Sequence, residues 1–212
     1  SLFDNDYHDY SLKDGIKLLK KLEWTEGNYN KQSWGHPLHK IGPYVGRINP
    51  AFAHFLVKYI SKSNDLVLDP FCGIGTINLE CSLQGRNSIG YDLNPYAIHI
   101  AKAKTERKLN IKNTINFIKK IKVKHQSINL NKIPEWVKEY YNKKTLKEII
   151  FLLNYFKDRN KFYLYASLLA ISQGHRVGHL SKPSGWTIPY KPRPDDPGEY
   201  RDVKTNLISK IL

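Results

Sequence analysis

The chain has 212 residues, of which 41% are hydrophobic, and this composition favours a packed core over wholesale disorder. Its apolar runs stay well short of the ~20 residues that a membrane-spanning helix needs, and its N-terminus lacks the segments of a signal peptide. We therefore expect a cytoplasmic protein that makes no contact with a membrane. The two cysteines, Cys72 and Cys81, are expected to be reduced thiols, and no Cys/His spacing predicts a metal site.

The formal net charge of +15 is unevenly distributed along the chain. Residues 1–100 contain ten basic and ten acidic side chains, residues 101–150 contain 14 and four, and residues 151–212 contain ten and five. The whole positive excess therefore follows residue 100, which favours a polyanionic partner such as nucleic acid. A solvated, lysine-rich face is the alternative interpretation of the same charge.

The first part of the chain is predicted to be helical, with one long loop. Apolar spacing indicates an amphipathic helix over residues 11–23, with Ser11 as its N-cap. A loop rich in glycine and proline follows over residues 24–46. A second helix is predicted over residues 50–61, with Pro50 in its first turn.

Strands and helices alternate in the next part of the chain. The pattern predicts a strand over 66–68, a helix over 76–83, a strand over 87–91 and a helix over 95–109. This order is typical of the first part of a parallel, doubly wound sheet. We therefore predict an α/β fold with a Rossmann-like sheet.

The loop after the first strand reads Asp69-Pro70-Phe71-Cys72-Gly73-Ile74-Gly75-Thr76. Gly73 and Gly75 allow a sharp turn and a close approach of the backbone to a ligand. Thr76 opens the next helix, whose free N–H groups favour a carboxylate, and Asp69 can accept hydrogen bonds from an ammonium group. Asp92 follows Asp69 by 23 residues, at the end of the second strand, where a carboxylate can accept both ribose hydroxyls.

Two phosphate-binding loops do not fit this string. The dinucleotide fingerprint needs a third glycine where this chain has Asn78, and a pyrophosphate would be repelled by Asp69. A P-loop needs Gly-Lys-Ser or Gly-Lys-Thr, which does not follow here. The loop therefore suits a cofactor with an amino-acid end.

The strings VLDPFCGIGT and GYDLNPYAIHIAKAKT resemble the N6-adenine and N4-cytosine DNA methyltransferases, over roughly residues 36–106. The resemblance implies a Rossmann-like S-adenosylmethionine-dependent methyltransferase sheet, in which the first string binds the methionine end and the second binds the ribose. It also implies that Phe71 packs near the cofactor and that Arg47 and Asn49 frame its carboxylate. The expected cofactor-binding residues are Arg47, Asn49, Asp69, Pro70, Phe71, Cys72, Gly73, Gly75, Thr76, Asp92 and Leu93.

The catalytic motif of that family, an Asp, Asn or Ser followed by Pro-Pro-Tyr, does not occur in the sequence. In the family, its polar groups accept the hydrogens of the exocyclic amine while the aromatic ring stacks on the flipped base. The nearest string, Thr187-Ile188-Pro189-Tyr190, lacks the first proline, so we assign no catalytic residue. We expect either a truncated fragment or one subunit of a split enzyme, whose incomplete sheet exposes an edge to the part that carries the motif.

Residues 1–112 are assigned to the cofactor-binding half, and residues 113–212 to a basic, largely helical region that contacts DNA. Within the second region, residues 114–125 fit either a strand or a helix, whereas two helices are predicted over 134–158 and 160–172, the second of them buried. Trp136 and Tyr140 are interpreted as core residues among solvated lysines.

A loop over residues 174–200 completes this region. Its basic and aromatic residues are expected to contact duplex DNA, because loops expose such side chains to phosphates and extruded bases. They are His175, Arg176, His179, Lys182, Trp186, Tyr190, Lys191 and Arg193.

Two alternative functions stay open at this point. RNA guanine-N2 methyltransferases use a similar Asp-Pro-x-Cys-Gly-x-Gly-Thr loop, although they usually add an upstream RNA-binding domain and a later Pro-Pro-Tyr or Leu-Pro-Tyr. A non-catalytic subunit that contributes cofactor or DNA contacts to a modification complex is the other alternative.

Overall fold

A computed structural model describes residues 10–23, 26–31, 34–42, 44–106, 110–172, 179–182 and 198–211. The contacts between residues divide the chain into two compact units, residues 1–105 and residues 106–212. No helix among the described residues is both long enough and apolar enough to cross a bilayer.

The described residues of the first unit form four helices and two short strands. They are α1 (Leu12–Lys20), α2 (Pro50–Ile60), β1 (Leu66–Asp69), α3 (Thr76–Leu83), β2 (Asn87–Gly90) and α4 (Pro95–Thr105), with a 3₁₀ turn at Pro37–Lys40. Ser11 caps α1 as predicted, because its hydroxyl accepts a hydrogen bond from the Asp14 N–H at 3.2 Å. Helix α4 ends at Thr105, earlier than the predicted residue 109, since Glu106 is already non-helical.

The strands β1 and β2 pair in parallel, with the register running from Leu66 opposite Asn87 to Asp69 opposite Gly90. Among the described residues the sheet contains these two strands, joined through α3. This arrangement is compatible with an incomplete Rossmann-like methyltransferase fold. Because the strands are parallel, their carboxyl ends lie at the same edge of the sheet.

The two faces of this sheet differ in how they are covered. Val67 packs on a core cluster that α2 and α3 form from Ala53, Val57, Ile77 and Cys81. The opposite face is open: Leu66, Leu68 and Ile89 are 64%, 62% and 42% exposed. Since side chains alternate along a strand, Val67 lies on the face that α2 and α3 cover, and Leu66 and Leu68 lie on the opposite face.

The second unit is helical. It contains α5 (Ile111–Lys120), α6 (Glu135–Lys138), α7 (Lys143–Lys157), α8 (Phe162–Ser172) and α9 (Val203–Ile211). One core cluster joins α5, α7, α8 and α9, and its fully buried members include Ile118, Leu152, Phe156, Leu168 and Leu207. The prediction of a buried helix over 160–172 is thereby confirmed, whereas α9 was not predicted.

Two other predictions for this unit are changed by the structure. For residues 114–125 the sequence left a strand or a helix open. The first part of this segment belongs to α5, so the basic segment begins as a helix. The single helix predicted over 134–158 is wrong, because Asn142 adopts extended backbone angles and caps α7 by accepting from the Lys144 N–H. Tyr140 is buried as interpreted, but Trp136 is 59% exposed and is not a core residue.

Part of the predicted DNA-contacting loop lies outside the described residues. His179 and Lys182 are described. The string Thr187–Tyr190 and the other loop residues named above are not, so the prediction for them stays a prediction.

Candidate functional site

The loop after β1 is shaped by its two glycines. Gly73 and Gly75 have φ angles of +49° and +69°, in the left-handed region that L side chains rarely adopt. At Gly75 a Cβ atom would also lie 2.7 Å from the Cβ atom of Ala101 on α4. The Gly75 N–H donates to the Cys72 carbonyl at 2.8 Å, which closes the turn before α3. Glycine at position 75 is therefore required by both conformation and space.

Both predicted acidic residues lie at the carboxyl edge of the sheet. Asp92, two residues beyond β2, accepts a hydrogen bond from the Gly73 N–H at 2.9 Å through Oδ2 and one from the Asn94 N–H at 2.7 Å through Oδ1. Asp69 accepts from the Phe71 N–H at 3.1 Å through Oδ1. The carboxylates therefore hold the loop in place, and Asp92 ties the loop after β1 to the end of β2.

The first turn of α3 has no side-chain cap. Its N-cap residue is Gly75, so no side chain caps the helix, and Thr76 opens it as predicted. Thr76 is buried and Pro70 is exposed. Free N–H groups at a helix start favour a bound anion.

Exposed apolar side chains surround the same edge. Phe71 is 87% exposed, Tyr91 is 62% exposed and Leu93 is fully exposed. Large apolar side chains beside converging polar groups are typical of small-molecule sites. Two carboxylates, an uncapped helix start and exposed apolar side chains thus lie together at this edge of the sheet.

The cysteines of this region are free, buried thiols. Burial raises the pKa of Cys72, and the carboxylates of Asp69 and Asp92 raise it further. Burial also raises the pKa of Cys81, to about 11. Neither thiol is therefore suited to act as a thiolate nucleophile at neutral pH.

Arg47 and Asn49 hold the segment before β1 in place. The Arg47 guanidinium donates to the His39 carbonyl at 2.6 Å, and burial lowers its pKa. Asn49 caps α2 by accepting from the Ala51 N–H at 2.8 Å, while its amide donates to the Tyr29 carbonyl at 2.7 Å. Both predicted carboxylate-framing residues thus make local contacts with the protein.

A buried carboxylate, absent from the sequence predictions, connects this segment to α3. Glu80 is 1% exposed and accepts hydrogen bonds from His39 Nε2 at 2.7 Å and His54 Nδ1 at 2.8 Å. Burial raises the pKa of Glu80, but the two histidines outweigh this effect and lower it to about 2. A glutamate as the single charged residue of α3 was the available signal, whereas its partners, 41 and 26 residues away, could not be identified from spacing.

A buried cation was also missed. Lys104 on α4 is 2% exposed, and no described residue forms a hydrogen bond with its Nζ atom. Burial lowers the pKa of Lys104 to about 7, and the nearby Arg47 charge contributes to the shift. Charged groups in apolar surroundings are destabilised, so this lysine is a source of strain in the first unit.

Part of the chain is similar to known DNA methyltransferases. Residues 5–103 match the family described as DNA methylase. Type II methyltransferase M.MjaII of Methanocaldococcus jannaschii is 35% identical over 143 residues, which are 60% of this chain and 26% of the relative. Type II methyltransferase M.HpaI of Haemophilus parainfluenzae is 32% identical over 105 residues, 49% of this chain and 31% of the relative.

A third relative, Type II methyltransferase M.MthZI of Methanothermobacter thermautotrophicus, is 36% identical over 63 residues, 30% of this chain and 18% of the relative. The chain spans less than a third of the length of each of these three proteins. No solved structure matches it.

The matched residues include the glycine loop, Asp92 and the helices that position them. DNA methyltransferases of this family use S-adenosylmethionine as the methyl donor, in agreement with the groups gathered at the carboxyl edge of the sheet. Residues 5–103 of the chain are therefore similar to the N6/N4 DNA methylase family.

Proposed function

We propose that this chain is the cofactor-binding part of a DNA methyltransferase that modifies an exocyclic amine, N6 of adenine or N4 of cytosine. The observation that carries the proposal is the 2.9 Å hydrogen bond from the Gly73 N–H to Asp92, which joins the glycine loop to the acidic residue after β2. The DNA methylase match over the same residues supports DNA as the substrate and modification of host DNA as the role.

Each part of the site has a distinct role in this proposal. Asp92 accepts the ribose hydroxyls, Asp69 accepts hydrogen bonds from the ammonium group, and the first turn of α3 faces the carboxylate. Phe71 and Leu93 cover the adenine ring. When bound, S-adenosylmethionine supplies the methyl group that is transferred.

The catalytic Pro-Pro-Tyr loop is proposed to come from a second polypeptide or from another segment of a longer protein. Support comes from the open sheet face formed by Leu66, Leu68 and Ile89, since doubly wound sheets are covered on both faces. The described sheet also has only two strands, fewer than such sheets usually contain.

Methyl transfer from labelled S-adenosylmethionine to mixed-sequence duplex DNA tests this function. We expect this chain alone to bind the cofactor without transferring label to DNA. The reason is that its sequence lacks the Pro-Pro-Tyr motif, which holds the target amine in the family. Loss of cofactor binding would contradict the whole proposal, and labelling of transfer RNA but not DNA would contradict the substrate. Labelling of DNA by this chain alone would contradict the proposal that the catalytic loop lies elsewhere. It would point to residues 187–190 as that loop.

Replacing Asp92 by alanine is expected to weaken binding of S-adenosylhomocysteine at least about tenfold, because hydrogen bonds from two hydroxyls to a carboxylate are lost. Isothermal titration calorimetry measures the change. A 2′,3′-dideoxyribose analogue should bind the unchanged chain and Asp92→Ala about equally. Asp92 also holds Gly73, so an equal loss of affinity for both ligands would assign Asp92 to loop structure and contradict the ribose role.

A further inference from the structure

A basic cleft opens on the second unit, among the described residues. It has a volume of about 660 Å³ and lies between the end of α5, the first turns of α7 and the start of α9. Five of its lining residues are lysines, and two are acidic. The lysines are Lys119, Lys120, Lys122, Lys144 and Lys204.

The two acidic residues of the cleft are already occupied by protein donors. Glu148 is 4% exposed and accepts hydrogen bonds from His125 Nε2 at 2.8 Å and the Tyr200 hydroxyl at 2.9 Å through Oε1. Asp202 accepts from the Thr205 N–H at 2.7 Å, and its other oxygen lies 3.1 Å from the Tyr200 hydroxyl. Both carboxylates therefore accept hydrogen bonds from protein groups, and neither forms a salt bridge with a described lysine of the cleft.

Two of the lysines are held in position by neighbouring groups. Lys204 Nζ donates to the carbonyls of Lys119 and Ile121 at 3.3 and 3.1 Å, which ties α9 to the end of α5. Lys144 Nζ lies 4.1 Å from the centre of the Tyr200 ring. The basic lining is thus partly ordered before any ligand binds, which lowers the entropic cost of binding.

The other three lysines are exposed and unpaired within the part of the chain that the structure describes. Lys119 and Lys120 form the last turn of α5, and Lys122 follows in an extended segment. No described acidic side chain lies within ion-pair distance of them. Like charges this close together repel one another, and an anionic ligand removes the repulsion.

We propose that this cleft binds phosphates of the DNA backbone, through Lys119, Lys120 and Lys122, in the proposed methyltransferase. Lysine ammonium groups are compact charges that neutralise phosphates without reading base edges, so the site positions the duplex and leaves sequence recognition to other residues. The open shape suits a backbone that passes across the surface. The inference rests on the proposed function, since the same chemistry would also bind RNA phosphates.

The test compares two triple variants with the same change in charge. Lys119→Ala/Lys120→Ala/Lys122→Ala removes the exposed lysines of the cleft. Lys112→Ala/Lys132→Ala/Lys157→Ala removes three exposed lysines that lie elsewhere on the same unit. The probe is a labelled 20-base-pair duplex of mixed sequence, titrated by fluorescence anisotropy at several salt concentrations, with transfer RNA as competitor. Cofactor affinity is measured on the same samples.

The cleft variant is expected to bind the duplex at least about tenfold more weakly, with a salt slope lower by about two to three, one for each lost phosphate contact. The control variant should stay within about twofold, and cofactor affinity should not change in either. Equal losses of duplex affinity in both variants, or no loss in the cleft variant, would overturn the proposal that the cleft binds phosphates. Tighter binding of transfer RNA through the same lysines would overturn DNA as the source of the phosphates.

An unchanged chain that binds the cofactor but no DNA would overturn the cleft alone, whereas an unchanged chain that does not bind the cofactor would contradict the proposed function itself. Because that result appears before any variant is made, the two failures can be told apart.

Discussion

Replacing Glu80 by glutamine is expected to destabilise the first unit by about 3 kcal/mol, because a buried carboxylate that accepts hydrogen bonds from two histidines is lost. His39 Nε2 lies 2.7 Å from Oε1 of the carboxylate and His54 Nδ1 lies 2.8 Å from Oε2, whereas an amide has an acceptor oxygen at only one of these two positions. One imidazole N–H would then face an amide NH₂ in a site that is 1% exposed. Urea denaturation at pH 7 measures the loss.

The Glu80 carboxylate also predicts a loss of stability in acid. Its pKa is about 2 in the folded protein and near 4.5 in an unfolded chain, so the unfolded state binds the proton more tightly. The stabilisation is complete above pH 4.5 and is lost as the pH falls towards 2, by roughly 3 kcal/mol. Glu80→Gln should remove this part of the profile. Glu26→Gln, at an exposed position, is the control, and similar pH profiles for both variants would contradict the prediction.

Replacing Lys104 by methionine is expected to stabilise the first unit by roughly 4 kcal/mol at pH 7. Methionine has a similar length and carries no charge, so it fills the site without the cost of burying an ammonium group. No described residue accepts a hydrogen bond from the Lys104 Nζ atom, so the substitution removes no hydrogen bond to these residues. Urea denaturation of both proteins at pH 6, 7, 9 and 10 measures the difference.

The direction of the pH effect follows from the lowered pKa of Lys104. This pKa is about 7 in the folded protein and near 10.5 in an unfolded chain, so the unfolded state binds the proton more tightly between these values. The cost of Lys104 is therefore complete below pH 7 and decreases as the pH rises towards 10.5. The advantage of Lys104→Met should shrink over the same range. Lys102→Met, on the exposed side of α4, is the control, and an equal gain there would contradict the role of burial.

Both residues show why some of the site could not be predicted from the sequence. Glu80 and Lys104 occur in helices whose positions were predicted well, and neither has an unusual neighbour in the sequence. Their ionisation depends on burial and on partners that are far away in the chain, such as His39. Only packing brings these groups together.

The cleft of the second unit could not be predicted for the same reason. The lysines after residue 100 were predicted to meet a polyanion, and 134–150 was interpreted as a solvated face. The cleft joins Lys119–Lys122 to Lys144 and Lys204, and α9 was not predicted. Because helices from distant parts of the chain form its walls, the cleft could not be identified from charge counts.

The sequence by itself determined the order of the strands and helices around the glycine loop, because apolar spacing, glycines and caps act over a few residues. It also determined where the two acidic residues of the loop region lie, since parallel strands place Asp69 and Asp92 at one edge of the sheet. The tertiary structure decided which side chains are buried, which carboxylates are already occupied and which lysines share a cleft. These properties depend on contacts between distant residues, and desolvation and charge then act through those contacts.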